Sequence, residues 1–418
     1  MTSKGSTEEL FVWAWLPGAT EPVISGRLYR DLNNPSIYNF NYGGTYLERS
    51  DAIPIYSPEL PLQRGRIDPP PGLSMPGSIR DGSPDAWGRR VIIHRLMGKD
   101  STPDTELDEL TYMLESGSDR IGALDFQTSS ESYISREVEN PRLEDLQEAS
   151  ERVEKGLPLT PQLDRVLNHG SSIGGARPKA LIQSGNTKYV AKFSSTTDHY
   201  NVVKGEFLAM RLAKIAGLNV ANVHLKQSAK RDVLLVERFD RTYNEASKGF
   251  ERHMMVSALT IFELDEMMAR YASYEQLTDI IRQRFTNPIE TLLELYKRLV
   301  FSILTGNTDD HARNHAAFWN GKNLTLTPAY DICPQTRSTG IATQAMLILG
   351  QRNDSSLALC RQAAHKFNLN DVQAQDITDQ LRQSILDSWT DVCDEAKLSE
   401  LERKFFWRRQ FLNPSIDE

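Results

Sequence analysis

Gly306-Asn307-Thr308-Asp309-Asp310-His311-Ala312-Arg313-Asn314, followed by Pro328-Ala329-Tyr330-Asp331, sets an aspartate, an asparagine five residues on and a later aspartate in one stretch of chain. That D-x-x-x-x-N…D order is the one with which kinase-type phosphotransferases hold an acceptor hydroxyl, Mg2+ and the phosphates of ATP. Phosphoryl transfer asks a protein for little covalent work. It asks that the phosphates be held, their charge neutralised and the hydroxyl aligned. In this reading Asp309 accepts the proton of the attacking hydroxyl, while Asn314 and Asp331 offer the hard oxygen ligands that suit Mg2+. The five-residue spacing selects Asp309 over Asp310 as the base. Asp310 is left a hydrogen bond within the loop, and His311 packs and orients the loop on the nucleotide side.

Two other readings of the same residues stand beside it. A helix end and turn would use Asn307, Asp309 and Asn314 only to satisfy backbone groups. A metal-dependent hydrolase would take Asp309, Asp310, His311 and His315 as ligands, although no further histidine cluster completes such a site. The elements upstream decide between them.

His169-Gly170-Ser171-Ser172-Ile173-Gly174-Gly175-Ala176-Arg177-Pro178-Lys179 is small and hydroxyl-rich, and its backbone N–H groups can wrap phosphates. It is not a Walker A loop, because Gly175 is followed by Ala176 rather than lysine. Ser172, Gly174, Gly175, Ala176 and Lys179 are its nucleotide-side residues. Lys188 to Phe193 then reads as a strand that carries Lys192 toward the α- and β-phosphates, like the V-A-I-K strand of protein kinases. Asn201 through Ala216 has a helical apolar stripe closed by Gly217, and Glu206 beside it is the natural ion-pair partner of Lys192. Asp232 to Asp240 is an apolar strand ending in charge, where a kinase chain passes between lobes; Glu237 and Phe239 mark the backbone offered to adenine. The joint order is far less expected by chance than any one member.

A chain of 418 residues is too long for one core and predicts two or three lobes. Apolar and charged fractions of 39% and 25% are those of a folded, water-soluble protein. A net charge of -8 and a pI near 5.6 give no global attraction to nucleic acid, so DNA would be met through a partner. Cys333, Cys360 and Cys393 lack a CxxC spacing and read as reduced thiols. The N-terminus shows no signal-peptide run and no apolar stretch spans a bilayer, which predicts a cytoplasmic protein. Leu10–Leu16, Ser25–Tyr29 and Tyr38–Tyr42 read as strands. Ser83 is expected as an N-cap with Pro84 at the first helical position. Arg89, Arg90, His94 and Arg95 on that helix are read as a solvated face rather than a binding face. Residues 101–160 read as short acidic helices, and from about residue 250 helical periodicity dominates. The expected modules are residues 1–160, an N-terminal subdomain with connecting helices; 161–245, the lobe with the glycine loop, strand lysine, helix glutamate and hinge; and 246–418, a helical lobe with the catalytic loop and metal-binding aspartate.

These residues resemble the HipA family, the serine/threonine kinase toxins of bacterial type II toxin–antitoxin systems. The likeness rests on Ser172 to Lys179, on Leu235-Val236-Glu237-Arg238-Phe239-Asp240-Arg241, on Gly306 to Asn314 and on Pro328 to Asp331. Asp81-Gly82-Ser83-Pro84-Asp85-Ala86-Trp87-Gly88-Arg89-Arg90 is similar to the N-terminal module of that family. The resemblance implies an α+β, bilobal kinase-like fold, with a small β-rich N-lobe, a helical C-lobe and an added β-rich N-terminal subdomain. It also implies ATP and Mg2+, and a regulatory serine in the glycine-rich loop whose phosphorylation turns the kinase off. Ser172 matches that position and Ser171 adjoins it; a dianion there would repel ATP. Family members with known targets phosphorylate aminoacyl-tRNA synthetases, with glutamyl-tRNA synthetase one candidate here, and a helix-turn-helix, HipB-like antitoxin binds toxin and operator. Two departures stand out. His253 to Phe262 replaces a more polar motif, and Asp331 is followed by Ile332 and Cys333 rather than Phe-Gly. The alternatives are a kinase of this fold with another protein or small-molecule substrate, and a weakly active partner of a DNA-binding repressor.

Overall fold

Leu10 and Val12 lie two residues apart on one face of an extended segment, and both are fully buried, which is how a strand alternating every second residue seats on a core. In the computed structural model, which describes residues 8–98, 105–137, 141–168, 172, 175–195, 198–229, 231–337 and 340–417, that segment is the strand Glu9–Ala14. It sits inside an antiparallel sheet of Tyr38–Tyr42, Val23–Arg30, Glu9–Ala14 and Leu124–Gln127, in that order. The first three strands lie where the sequence places them. Leu124–Gln127 falls instead in the stretch read as acidic helices. Asp125 interrupts its apolar character, and that carboxylate is buried only because Arg120 (2.7 Å) and Arg136 (2.8 Å) meet it.

The chain divides into two units, one of Met1–Thr197, Gln227–Val256 and Trp319–Lys322, the other of Asp198–Lys226, Ser257–Phe318 and Asn323–Glu418. Besides the first sheet, the first unit pairs Lys179–Ser184 with Thr187–Phe193 and the latter with Arg231–Glu237, all antiparallel. Ala180, Ala191, Phe193, Val233 and Leu235 line one face of this second sheet and pack with Leu146 of the helix Leu143–Glu154. Trp87 and Val91 of the helix Ala86–Met97 pack with Ala149, Val153, Leu163 and Leu167. That helix starts at Ala86 with Asp85 as its N-cap residue, two residues later than expected. Asp85 does not cap it, because its carboxylate accepts the Gly175 amide at 2.6 Å. Arg89 and Arg95 pair with Glu109 and Glu115, so part of the cationic face is tied down rather than solvated.

A buried ionic core closes this unit. Asp119 accepts from Lys188 (2.7 Å), Arg238 (2.9 Å) and Arg241 (3.0 Å), and Asp240 accepts from Arg238 (2.7 Å), Arg241 (2.9 Å) and the Gly122 amide (2.8 Å). Arg252 adds Glu137 (3.0 Å) and stacks over Trp15. Burial alone would raise the Asp240 carboxyl, yet Arg238 and Arg241 bring it down to about 2.

The second unit is mainly helical: Val202–Ile215, Tyr274–Arg284, Pro288–Leu304, Leu357–Ala363, Asp371–Glu395 and Glu400–Phe406. Proline in the first turn and a broad apolar stripe make Pro288–Leu304 the buried centre. Val202–Ile215 belongs to this unit because its small residue Gly205 lets Phe406 approach, and Lys204 and Arg211 bond Lys397 O and Glu395.

Removing Asp240 from the ionic core leaves Arg238 and Arg241 to share the single carboxylate of Asp119 with Lys188. Asp240→Ala is expected to cost roughly 3–5 kcal/mol in urea unfolding. Because the folded carboxyl lies below its unfolded value, its share of wild-type stability is present above about pH 4 and lost as pH falls toward 2. Urea midpoints measured across that window check both the size and the slope.

Candidate active site

In the second unit the helix Pro288–Leu304 ends at Thr305, and Gly306 turns the chain out of it with φ +71°, a conformation that favours glycine. A Cβ there would also stand 2.6 Å from the Gln410 carbonyl oxygen. The loop that follows is held from below. Asn307 donates to Ser302 Oγ (3.3 Å), Gln344 donates to Asn307 O (3.2 Å), and the Ala345 amide donates to Thr308 O (3.1 Å).

Asp309 and Asp310 then point to opposite environments. Asp309 is exposed. Its carboxyl is pushed up by partial burial and by the nearby charges of Asp331 and Asp310, against the pull of His311. Asp310 is 5% exposed and accepts from Tyr274 OH, from Ser302 Oγ (3.2 Å) and from His315 Nε2 (3.1 Å). Burial alone would raise Asp310; His315, Tyr274 and Ser302 reverse this and hold it below the ordinary carboxylate range. With Asp310 and His315 bonded to each other inside the fold, the four-ligand hydrolase arrangement is not formed. Among the described residues no group of three or more His, Cys, Asp or Glu is placed to hold a metal.

Asn314 lies on the short 3-10 turn Ala312–Asn314, and its Nδ2 donates to Asp309 O (3.0 Å), closing the loop on itself. His311 sits at the turn's start, partly buried, with its amide on Asp309 O (2.9 Å). Asp331 is brought alongside by a separate segment. Ala329 bridges Val220 in parallel, Arg298 donates to Thr327 O (2.8 Å), and Tyr330 OH reaches Arg313 O (2.7 Å). Asp331 adopts φ +59°, a left-handed conformation in which a non-glycine residue stores strain. Asp331 lies close enough for its charge to help raise the Asp309 carboxyl. Two carboxylates and an amide oxygen form a hard-donor set that fits Mg2+.

In the first unit Lys192 lies on Thr187–Phe193, opposite Lys179 in the strand register. Side chains directly opposite share a face, so the two lysines leave the same face of the sheet. Gly175, with φ +102°, lets Lys179 pass: a Cβ on it would lie 2.1 Å from Lys179 Nζ. Trp87 braces this turn through its amide on Gly175 O (3.1 Å) and its indole on Lys179 O (3.1 Å). Ala176 is exposed just beyond. Ser172 is 2% exposed, and its Oγ has no hydrogen-bond partner among the described residues. Ser171 and Gly174 lie outside the described residues. Glu237 and Phe239 are half-buried at the end of Arg231–Glu237 and just after it. In the second unit Glu206 is buried on Val202–Ile215. Tyr274, Ser302, Arg238, Asp240 and Arg241 were not foreseen in their present roles; Tyr274 bonds a residue 36 positions away, and Arg238 and Arg241 reach Asp119 from 119 and 122 positions away.

Comparison with known proteins gives the family and a shared fold. A family model described as HipA N-terminal domain matches residues 20–127, and one described as HipA-like C-terminal domain matches residues 171–389. A serine/threonine-protein kinase toxin HipA of Shewanella oneidensis is 28% identical over 38% of this chain and 42% of its own length. A putative kinase of Sinorhizobium fredii is 26% identical over 39% of this chain and 38% of its own length. A putative kinase of Haemophilus influenzae is 26% identical over 43% and 57%. The chain thus aligns with well under two thirds of each of these relatives. The solved complex of Shewanella oneidensis HipA with HipB and operator DNA contains a chain of the same fold, with TM-score 0.69 and 19% identity over 98% of this chain and 99% of that one.

The adjacent aspartates should part company in stability. Asp309→Asn removes a carboxylate that Asp331 and Asp310 repel and is expected to melt at or above the wild-type temperature. Asp310→Ala leaves two hydroxyls and His315 without their acceptor and is expected to lose about 3 kcal/mol or more. Thermal and urea unfolding of the two variants check the contrast.

Proposed function

The chain belongs to the HipA family, and on that premise we propose that it is an ATP- and Mg2+-dependent protein serine/threonine kinase, the toxin of a type II toxin–antitoxin pair. The observation that carries the reading is the split between Asp309 and Asp310: one carboxylate is kept exposed and raised beside Asp331, the next is sealed beneath the loop. A raised, accessible carboxylate is what a general base needs. Mg2+ would offset the carboxylate charges that raise Asp309, and Asn314, whose Nδ2 donates to Asp309 O, would offer its Oδ1 together with Asp331 as ligands.

In this reading Asp309 takes the proton of the acceptor hydroxyl, and Asn314 and Asp331 hold Mg2+. Lys192 and Lys179 hold phosphate oxygens, Ser172, Gly174, Gly175 and Ala176 wrap them, and Glu206 orients Lys192. Glu237 and Phe239 mark the backbone that meets adenine, and His311 orients the loop. ATP with Mg2+ supplies the transferable phosphoryl group and the charge that offsets its oxygens. Self-inactivation is by phosphorylation of Ser172 or Ser171. Ser172 is sealed in the present conformation, so its modification requires the loop to leave its place. The external substrate proposed is an aminoacyl-tRNA synthetase, with glutamyl-tRNA synthetase the first to try. The proposed partner is a helix-turn-helix, HipB-like antitoxin through which DNA is met indirectly. Among the described residues no helix is long and apolar enough to cross a membrane; we place the protein in the cytoplasm, with its ATP.

Purified protein incubated with labelled ATP and Mg2+, alone and with cell extract, is expected to transfer label. Asp309→Asn should lower transfer by roughly 10²- to 10⁴-fold. Replacing Ser171 and Ser172 together by alanine should remove self-labelling. Equal labelling by wild type and Asp309→Asn in both mixtures would refute the kinase reading.

A further inference from the structure

Asp309 is an exposed group on a loop, and a base must be held to within a fraction of an ångström of its working position. The next residue is anchored by rigid neighbours. Asp310 is 5% exposed, and its Oδ2 accepts from Tyr274 OH and from Ser302 Oγ (3.2 Å) while Oδ1 meets His315 Nε2 (3.1 Å). Tyr274 is fully buried, stands edge-on to His315 at 5.5 Å between ring centroids, and has its hydroxyl 3.3 Å from His315 Nε2. Ser302 in turn accepts from Asn307 Nδ2 (3.3 Å). Tyr274 starts the helix Tyr274–Arg284. Its backbone is fixed by a parallel bridge between Ser273 and Leu347 and by its own amide on Leu347 O (2.9 Å). Ser302 lies on the buried helix Pro288–Leu304. The loop is therefore nailed, through one carboxylate, to the helices Tyr274–Arg284 and Pro288–Leu304.

We propose that Tyr274 and Ser302 are positioning residues for phosphoryl transfer, acting through the Asp310 carboxylate to fix the backbone that carries Asp309. This rests on the kinase reading above. A second tie supports it from outside: Arg313, in the same loop, pairs with Glu266, eight residues before Tyr274. One short stretch thus grips the loop on its buried and its exposed sides. Burial, followed by the Asp310 charge, keeps the Tyr274 phenol well above its ordinary value, so it remains a donor.

Tyr274→Phe keeps the ring against His315 and removes one hydroxyl. Losing a hydrogen bond to a charged group, felt mainly when the base is used, is expected to lower turnover roughly ten- to hundred-fold. KM for ATP should stay within about twofold, as should the stoichiometry and affinity for a fluorescent ATP analogue. Ser302→Ala should act in the same direction, and the double variant should lose less than the product of the single effects, because both hydroxyls serve one oxygen. Tyr296→Phe, another buried tyrosine on the same helix as Ser302 and not bonded to the loop, is the control for stability alone and should keep wild-type turnover. Rates are taken per nucleotide-binding site, well below the melting temperature of each variant. Wild-type turnover in Tyr274→Phe, or a loss matched by an equal loss of binding sites, overturns the positioning role while leaving the kinase reading intact. A wild-type protein that transfers no phosphate sinks both.

Discussion

A carboxylate taken out of water must be met by cations or donors, because the cost of burying it unpaired exceeds the stability of most domains. Both units of this protein are organised around that constraint. In the first, Asp119 gathers Lys188 from 69 residues away and Arg238 and Arg241 from 119 and 122 residues away, while Asp240 pairs with its own chain neighbours Arg238 and Arg241. In the second, Asp310 gathers Tyr274, Ser302 and His315. Neither cluster is interchangeable with an apolar core of the same volume, since its geometry is directional. Hydrophobic burial brings the segments together, and the hydrogen bonds to these carboxylates decide in which arrangement they stop.

The consequence is clearest where two aspartates are neighbours. The peptide bond that separates Asp309 from Asp310 also separates two dielectric environments, and the carboxyls move in opposite directions from the same starting value. Environments that push paired acids apart are how one site assigns different tasks to one residue type. The chain on either side of the loop takes up left-handed conformations, Gly306 at no cost and Asp331 with the strain a side chain brings. The surrounding bonds, Gln335 N on Gly306 O (2.9 Å) and Tyr330 OH on Arg313 O (2.7 Å), keep the chain from relaxing out of these conformations.

Much of this was legible in the residues. Short aromatic or branched runs found the strands at Glu9 and Val23, period-two alternation found the one at Tyr38, and a 3.6-residue stripe found Val202–Ile215 and Pro288–Leu304. The spacing from Asp309 to Asn314 separated the exposed aspartate from the buried one. The strand Leu124–Gln127 was not legible, because Asp125 breaks its pattern and the arginines that neutralise it come from outside the strand. Asp85 was hidden for the same reason: in isolation it is a helix cap, and only the folded chain delivers the Gly175 amide that claims it. Tyr274 carries no local signal, since what defines it is a bond to a residue 36 positions away. Local rules report on groups whose partners are near in sequence; charge compensation and loop bracing are arranged at long range.

The strand Thr187–Phe193 shows how the structural charges serve the functional ones. Lys188 and Lys192 lie four residues apart, so they leave the same face of the strand. Lys188 ends in the ionic core, on Asp119 and Glu137 and beneath Phe250, while Lys192 stands opposite Lys179. The other face, with Ala191 and Phe193, is apolar core. A slip of one residue would turn both lysines into that core and its apolar residues out. Hydrophobic alternation alone fixes which face Lys192 occupies, but a slip of two residues would preserve alternation and move Lys192 away from Lys179. Asp119 forbids that slip, because it would pull Lys188 off a buried carboxylate and leave the charge uncompensated. The register that sets two lysines side by side at the glycine turn is therefore enforced from the opposite end of the strand, by an aspartate of the N-terminal sequence that touches neither of them.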